Sequence, residues 1–243
     1  MCTIVLAHDV VEGVPLLLGA NRDERFDRPA APPERIDNGS IQLVAPRDLE
    51  AGGTWLGINE AGVLAAITNR FGANFGGDRR SRGELVFRAL EHDTASEAAE
   101  DLARLDPTDY NGFHLVIASA DDTRLVWGDG QRMVSSRLPR GAITVLTERS
   151  LGAARNERKR RVKRQVSQLA LREELGVQTL EQLLAERDDG SMDATCVVMN
   201  GINYGTRSST IVGLGEAPLM HFADGPPCET PYDDRSDLLV DLF

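Results

Sequence analysis

The chain has 243 residues, 41% of them hydrophobic and 27% charged, an ordinary globular composition that excludes a collagen, a coiled coil or a disordered tail. Its longest apolar runs, such as Leu16-Leu17-Leu18 and Val63-Leu64-Ala65-Ala66-Ile67, fall far short of the roughly 18 residues a membrane span needs, so no stable membrane insertion is expected. Thirty-eight acidic against 27 basic residues give a net charge of −11, which repels nucleic-acid backbones and anionic lipid and makes both poor partners.

In chain order, Thr3 to Ala7 and Val14 to Ala20 read as strands joined by a turn at Glu12-Gly13, an opening hairpin. From Arg28 to Pro46 the prolines at 29, 32 and 33 and Asn38-Gly39 predict a long irregular connection. Thr54 to Ile58 and Gly62 to Thr68 form a second pair of strands. Ser81 with Glu84, and Thr94 with Glu97, have the spacing of capping boxes and open two helices, ended by Pro107. Phe113 to Ala118, Arg124 to Trp127 and Met133 to Ser136 read as a meander. Leu151 to Leu175 and Thr179 to Arg187 form a second helix pair, and Thr195 to Met199, Thr206 to Val212 and Leu219 to Phe222 return to strand. Strands joined by turns, with helices arriving in pairs, predict one α+β domain over residues 1–243, its sheets mostly antiparallel and covered by helical layers.

Cys2, Cys196 and Cys228 are an odd, widely spaced set without a CxxC pair, so neither zinc nor a disulfide framework is expected. The N-terminus lacks the basic start of a signal peptide, which points to a cytoplasmic protein. Lys159 and Lys163 are the only lysines, so nearly every cation is an arginine; with an Asp-rich surface this fits a GC-rich genome and a high-salt cytoplasm. Seven cations between Arg155 and Arg164 share a helical segment with Val162, Val166 and Leu169, the pattern of a solvated basic face opposite a core face. His8, His92, His114 and His221 lie on different elements and form neither a triad nor a metal spacing. Gly72 to Arg80 is a candidate lip over a pocket.

Cys2 carries the sharpest chemical signal. A small second residue permits removal of the initiator Met1, which leaves a thiol and a free amine on one residue, nucleophile and base together. Such an amine titrates near 8 and a thiol near 8.5, so a modest cationic influence populates thiolate at neutral pH. The first hairpin brings Asn21-Arg22-Asp23-Glu24 level with Cys2. Strand alternation puts Asn21 and Asp23 on one face and Arg22 and Glu24 on the other. An acidic group there can orient the amine, and Arg22 can lower the thiol pKa or hold a substrate carboxylate. A solvated turn is the plainer reading of four polar residues after an apolar strand.

These residues bring the chain close to a known family. Met1-Cys2, Ala20-Asn21-Arg22-Asp23-Glu24, Gly52-Gly53-Thr54-Trp55-Leu56-Gly57, Leu64 to Asn69, Arg82-Gly83-Glu84-Leu85, Tyr110-Asn111-Gly112-Phe113 and Tyr204 to Thr210 resemble, in this order, the NRDE or Transport and Golgi organisation family. The resemblance implies links to Golgi organisation and to haem and lipid handling. That family in turn resembles the cysteine N-terminal nucleophile hydrolases that cleave amides of bile salts and penicillins, which implies a four-layer αββα sandwich. Gly19, Asn21 and Asp23 match the segment after the first hairpin of those enzymes. Asn59-Glu60-Ala61-Gly62-Val63 through Asn69 matches the segment ending in an oxyanion Asn. Two positions depart: Ala20 stands where those hydrolases place an arginine, and Glu148 stands where they place a second oxyanion Asn. Arg207 is a candidate for their late-strand arginine.

The mechanism so implied has Cys2 attack an amide or ester carbonyl while its own amine moves the proton. Asp23 orients the amine, and Asn69 with a backbone N–H receives the oxyanion. Asn21, Arg22 and Arg207 contact a small-molecule substrate, and no metal or organic cofactor is needed. The alternative is a non-catalytic protein that binds haem or lipid, an apolar ligand, in the same pocket.

Overall fold

The computed structural model describes every residue except 1, 38, 40, 74, 75, 77, 152–155, 189, 190 and 241. The chain forms two compact units, one of Met1–Arg28, Gly141–Thr147 and Arg155–Leu239, the other of Pro29–Arg140, Glu148–Ala154 and Val240–Phe243. Neither unit is a continuous stretch of sequence, and each carries an antiparallel sheet with two longer helices laid on one face.

The first unit opens with β1 (Cys2–Val11) and β2 (Val14–Arg25), turned through Gly13 at a positive φ of 70°. Both strands outrun the expected hairpin, and β2 takes in all of Asn21 to Glu24. With β10 (Ala142–Thr147), β11 (Val198–Met199), β12 (Tyr204–Leu214), β13 (Leu219–Ala223) and β14 (Asp233–Asp234) they make a seven-stranded sheet in the order β10-β1-β2-β12-β13-β14, with β11 paired to β12. Helices α3 (Glu157–Leu171) and α4 (Val177–Leu184) cover one face. Val162, Val166, Leu180, Leu183 and Leu184 pack there on Val5, Ala7, Leu17, Val145 and Ile211. Gly19 permits this approach, since a Cβ in its place would lie 2.8 Å from a Leu180 methyl.

Several expectations shift here for local reasons. The helix expected from Leu151 begins at Glu157, because Asn156 caps it by accepting from the Lys159 amide at 3.0 Å; residues 152–155, and so Arg155 of the basic cluster, lie outside the described residues. Thr179 is the third residue of α4 rather than its cap; its hydroxyl accepts from the Gly176 amide at 3.0 Å. The strand expected over Thr195 to Met199 is confined to Val198–Met199, preceded by a single bridge between Arg187 and Cys196. No disulfide framework is expected from the sequence, yet one bridge forms: Cys196 and Cys228 are joined, their Cα atoms 6.2 Å apart and 32 residues separated in sequence.

The second unit is a meander in strict chain order: β3 (Ala30–Asp37), β4 (Gln42–Asp48), β5 (Leu56–Asn59), β6 (Leu64–Asn69), β7 (Phe113–Ala118), β8 (Thr123–Gly128) and β9 (Met133–Arg137). The irregular connection expected from Arg28 to Pro46 is instead largely β3 and β4. Pro32 and Pro33 are accommodated because β3 is the sheet's edge and its register to β4 shifts between Ala31 and Glu34, the two settings in which a strand tolerates a missing N–H. Helices α1 (Gly83–Ala89) and α2 (Ala95–Leu102) cover one face. Their Leu85, Val86, Ala98, Ala99 and Leu102 pack with Leu43, Ala65, Ile67, Leu115 and Ile117. Thr94 caps α2 as predicted, accepting from the Glu97 amide at 3.2 Å, whereas Ser81 lies two residues before the start of α1, Arg82 holding the cap position, and accepts from the Gly83 amide at 3.3 Å. Within the expected lip, residues 74, 75 and 77 lie outside the described residues. No helix among the described residues is long and apolar enough to cross a membrane.

Candidate active site

The site in the first unit is a product of strand register. β1 pairs Cys2 with Arg22 and Thr3 with Asn21, and β12 pairs Ser208 with Arg22, Ser209 with Asn21 and Thr206 with Asp23. Side chains directly opposite one another in an antiparallel sheet share a face. Cys2, Arg22 and Ser208 therefore form one cross-strand row, while Thr3, Asn21, Asp23, Thr206 and Ser209 point to the face covered by α3 and α4. The predicted alternation holds, because β2 stays regular through Arg25. The solvated-turn reading fails: Asn21, Arg22 and Asp23 are 1%, 6% and 4% exposed.

Asp23 is held from two sides. Its Oδ2 accepts from the Arg158 guanidinium at 3.0 Å, and its Oδ1 accepts from the Thr206 hydroxyl at 2.8 Å. Arg158 also donates to the Thr3 hydroxyl at 3.2 Å and to the Met192 carbonyl. Thr206 Oγ1 accepts in turn from the Val197 amide at 3.0 Å. This ion pair is almost fully desolvated, with side chains 3% and 0% exposed. Arg158 is the residue the basic-face reading of the helix missed. It lies four residues before Val162 and eight before Val166, so helical spacing puts it on the buried side.

Asn21 is buried and bonded to the backbone of two other segments. Its amide nitrogen donates to the Leu184 and Thr195 carbonyls, both at 2.9 Å, tying β2 to the end of α4 and to the segment before β11. Arg207 occupies the register shift of β12 between Thr206 and Ser208 and pairs with Asp224 at 2.6 Å. Asn69 belongs to the second unit, where it ends β6, exposed, in register with Phe113. Glu148, also of that unit, is 8% exposed; its backbone carbonyl accepts from the Phe71 amide at 2.7 Å and its carboxylate lies 3.6 Å from Arg149.

Cys2 is the free cysteine of the chain, and it is half-buried. Burial pushes its thiol above the ordinary value, and the Asp23 charge pushes the same way. The chain's terminal positive charge, the Asp23 backbone N–H and Arg22 pull it down without overcoming the desolvation. A thiol so placed stays protonated at neutral pH and needs a base to become a nucleophile. No cluster of His, Cys, Asp and Glu with metal-binding geometry occurs among the described residues.

A family model described as Transport and Golgi organisation 2 matches residues 1–224. The Mus musculus Transport and Golgi organization 2 homolog is 37% identical over 112 residues, which is 45% of this chain and 40% of that protein. The Homo sapiens homolog is 38% identical over 106 residues, 42% of this chain and 38% of that one. The matched stretch thus spans about two fifths of the length of these curated relatives. Among solved structures, the C2A mutant of conjugated bile acid hydrolase from Clostridium perfringens superposes with a TM-score of 0.67 at 13% identity, covering 98% of this chain and 93% of that chain. Penicillin V acylase from Agrobacterium tumefaciens gives 0.58 at 16% identity, covering 92% of this chain and 83% of that chain. A Caenorhabditis elegans N-acylethanolamine-hydrolyzing acid amidase ortholog gives 0.54 at 15% identity, covering 86% and 92%. At such identities the likeness is one of fold, the α+β fold of the N-terminal nucleophile hydrolases.

Proposed function

The chain belongs to the Transport and Golgi organisation 2 family, and from that membership and the surroundings of Cys2 we propose that it is a cysteine N-terminal nucleophile hydrolase acting on an amide or ester of a small molecule. The observation that carries this reading is the buried Asp23, fixed by Arg158 and Thr206 beside the strand pair that opens at Cys2. A carboxylate accepts about four hydrogen bonds, so the two from Arg158 and Thr206 are compatible with a further one from an amine. The shared fold supports the same reading, since the solved neighbours are named as a bile acid hydrolase, a penicillin acylase and an acid amidase.

In this scheme Met1, which lies outside the described residues, is removed first. The freed amine takes the thiol proton, and Asp23 orients the amine. The sulfur bonds to the carbonyl carbon, a backbone N–H receives the oxyanion, and the carbon–nitrogen or carbon–oxygen bond breaks as the amine returns its proton to the leaving group. Water then adds to the thioester, the sulfur leaves, and the acid product departs.

Intact mass of natively expressed chain, followed by incubation with a p-nitrophenyl ester, tests the proposal. Expected are a mass lacking Met1, an acyl adduct that decays with time, loss of the adduct in Cys2→Ala, and slower acylation in Asp23→Asn. Full retention of Met1, or equal acylation rates in wild type and a folded Asp23→Asn, would overturn it.

A further inference from the structure

Three consecutive hydroxyl residues on β12 face two ways, and their bonding differs accordingly. Ser209, on the helix-covered face, bonds the Tyr232 hydroxyl at 2.6 Å and the Ala20 carbonyl at 3.4 Å. Ser208 and Thr210, on the opposite face, are 2% and 1% exposed, yet their hydroxyl oxygens are buried with no hydrogen-bond partner among the described residues. Hydroxyls buried without partners cost stability and call for an explanation. Register supplies one: Ser208 is opposite Arg22, which is opposite Cys2, and Thr210 is opposite Ala20 in the next row inward. A nucleophilic sulfur, a guanidinium and a hydroxyl thus line up across three strands. A small alanine separates the second hydroxyl from Ile4, the β1 residue in its row. Directly opposite side chains stand about 5 Å apart, so a group held by Arg22 lies one strand spacing from the sulfur.

We propose that this row is an anion subsite, with Arg22 and the Ser208 and Thr210 hydroxyls binding a carboxylate on the substrate while Cys2 meets its reactive carbon. The substrate class is therefore a carboxylate-bearing amide or ester. Arg22 supplies charge and a fork of donors, and each hydroxyl supplies one further O–H donor suited to carboxylate oxygens. Ser208 lies within the Cys2 row and is the hydroxyl closest in register to the reacting carbon. Thr210 reaches the anion from the deeper side. This assignment names the substrate of the hydrolase proposed above, but the subsite is testable without turnover.

Cys2 is the free thiol of a chain whose other two cysteines are joined, so alkylation reports on it alone. Iodoacetate and iodoacetamide run the same reaction: the sulfur bonds to the methylene carbon, the carbon–iodine bond breaks, and iodide leaves. They differ in that one carries a carboxylate and the other a neutral amide. Without reductant, the ratio of iodoacetate to iodoacetamide rates at Cys2 is expected to exceed that of free cysteine by about tenfold or more, the scale of one charge-assisted hydrogen bond. The iodoacetate rate is expected to saturate, and propionate to protect Cys2 where equal chloride does not. Arg22→Gln should bring the ratio back to that of free cysteine, and Ser208→Ala and Thr210→Val should each reduce it several-fold with the fold retained. A wild-type ratio equal to free cysteine overturns the subsite, whether or not the chain acylates. A ratio unmoved in both hydroxyl variants removes Ser208 and Thr210 from it. Should Arg22→Gln fail to fold, propionate protection and the two hydroxyl variants decide the matter. Failure of the hydrolase reading looks different: anion preference persists, but no acyl adduct forms and decays.

Discussion

Arg158 and Asp23 are an ion pair whose removal from water is costly, and such pairs are poor devices for stability alone. Replacing one member leaves the other's charge buried without its main counter-ion. Arg158→Met is therefore expected to destabilise the first unit by about 3–5 kcal/mol at neutral pH, read by denaturant titration. Adding Asp23→Leu to that variant should restore much of the loss, because no lone charge remains. A double variant as unstable as Arg158→Met alone would show that the pair is not the cause. Cys2 offers a second measurement at this scale. Burial holds its thiol high, with Arg22 pulling it down and Asp23 pushing it up. In chain that keeps Met1, the pH midpoint of iodoacetamide alkylation should then lie above that of free cysteine, rise further in Arg22→Gln, and fall in Asp23→Asn. A midpoint at or below that of free cysteine in the Met1-bearing form would contradict the desolvation that the fold imposes on Cys2.

Among the elements, the segment from Met192 to Val197 is the strap over Asp23. Its carbonyls at 192 and 195 accept from Arg158 and Asn21, its Asp193 carbonyl accepts from Arg161 at 2.8 Å, and its Val197 amide reaches Thr206. The bond from Cys196 to Cys228 closes a 32-residue separation, and loss of such a closure costs about 3–4 kcal/mol by the chain-entropy account. Cys228→Ser should lower the unfolding free energy by that order and speed hydrogen exchange of the 192–197 amides. Unchanged exchange there would mean the strap is held by its hydrogen bonds alone. The strap also marks where the sequence stops being legible. The opening hairpin, the run from Phe113 to Ala118 and the Thr94 cap are local signals, short apolar runs bounded by turn residues and a three-residue spacing, and they survive folding intact. Pro32 and Pro33 speak for a loop until their strand is known to be an edge. Cys196 and Cys228 show no pairing at 32 residues' distance, because β12 and β13 must first fold between them. Of the site, Cys2, Arg22 and Asp23 were readable from alternation. Arg158, Thr206 and Ser208 were not, since their roles depend on which strand and helix arrive as neighbours. Asn21 gives no sign in the sequence of its two carbonyl partners, which are more than 160 positions away.

For the whole molecule, a charge of −11 at neutral pH and an isoelectric point near 4.9 set the first part of the acid response. As pH falls toward 5 the self-repulsion of the acidic surface declines, and stability should rise modestly; added salt at pH 7 should act in the same direction by screening. Below that, the second unit turns the curve over. The Arg88 guanidinium, bonded to Asp101 at 2.6 and 2.9 Å, holds that carboxyl below its ordinary value. Burial pushes Asp122 and Asp129 up, but Arg124 and Arg137 on the first, and the Arg132 and Gln131 amides on the second, outweigh it and leave both depressed. A carboxyl whose folded pKa is depressed contributes stability that is present above its unfolded pKa and is lost as pH falls through the folded value. The window is therefore below about 4, where unfolded aspartates begin to take protons. Denaturant titrations from pH 7 to 2 should show a maximum near pH 5 and a steep decline below 4. Asp122→Asn should start less stable at pH 5 and decline less steeply, because its amide has no proton to gain. An acid limb equally steep in that variant would assign the loss to carboxylates other than the Arg124–Asp122–Arg137 bridge.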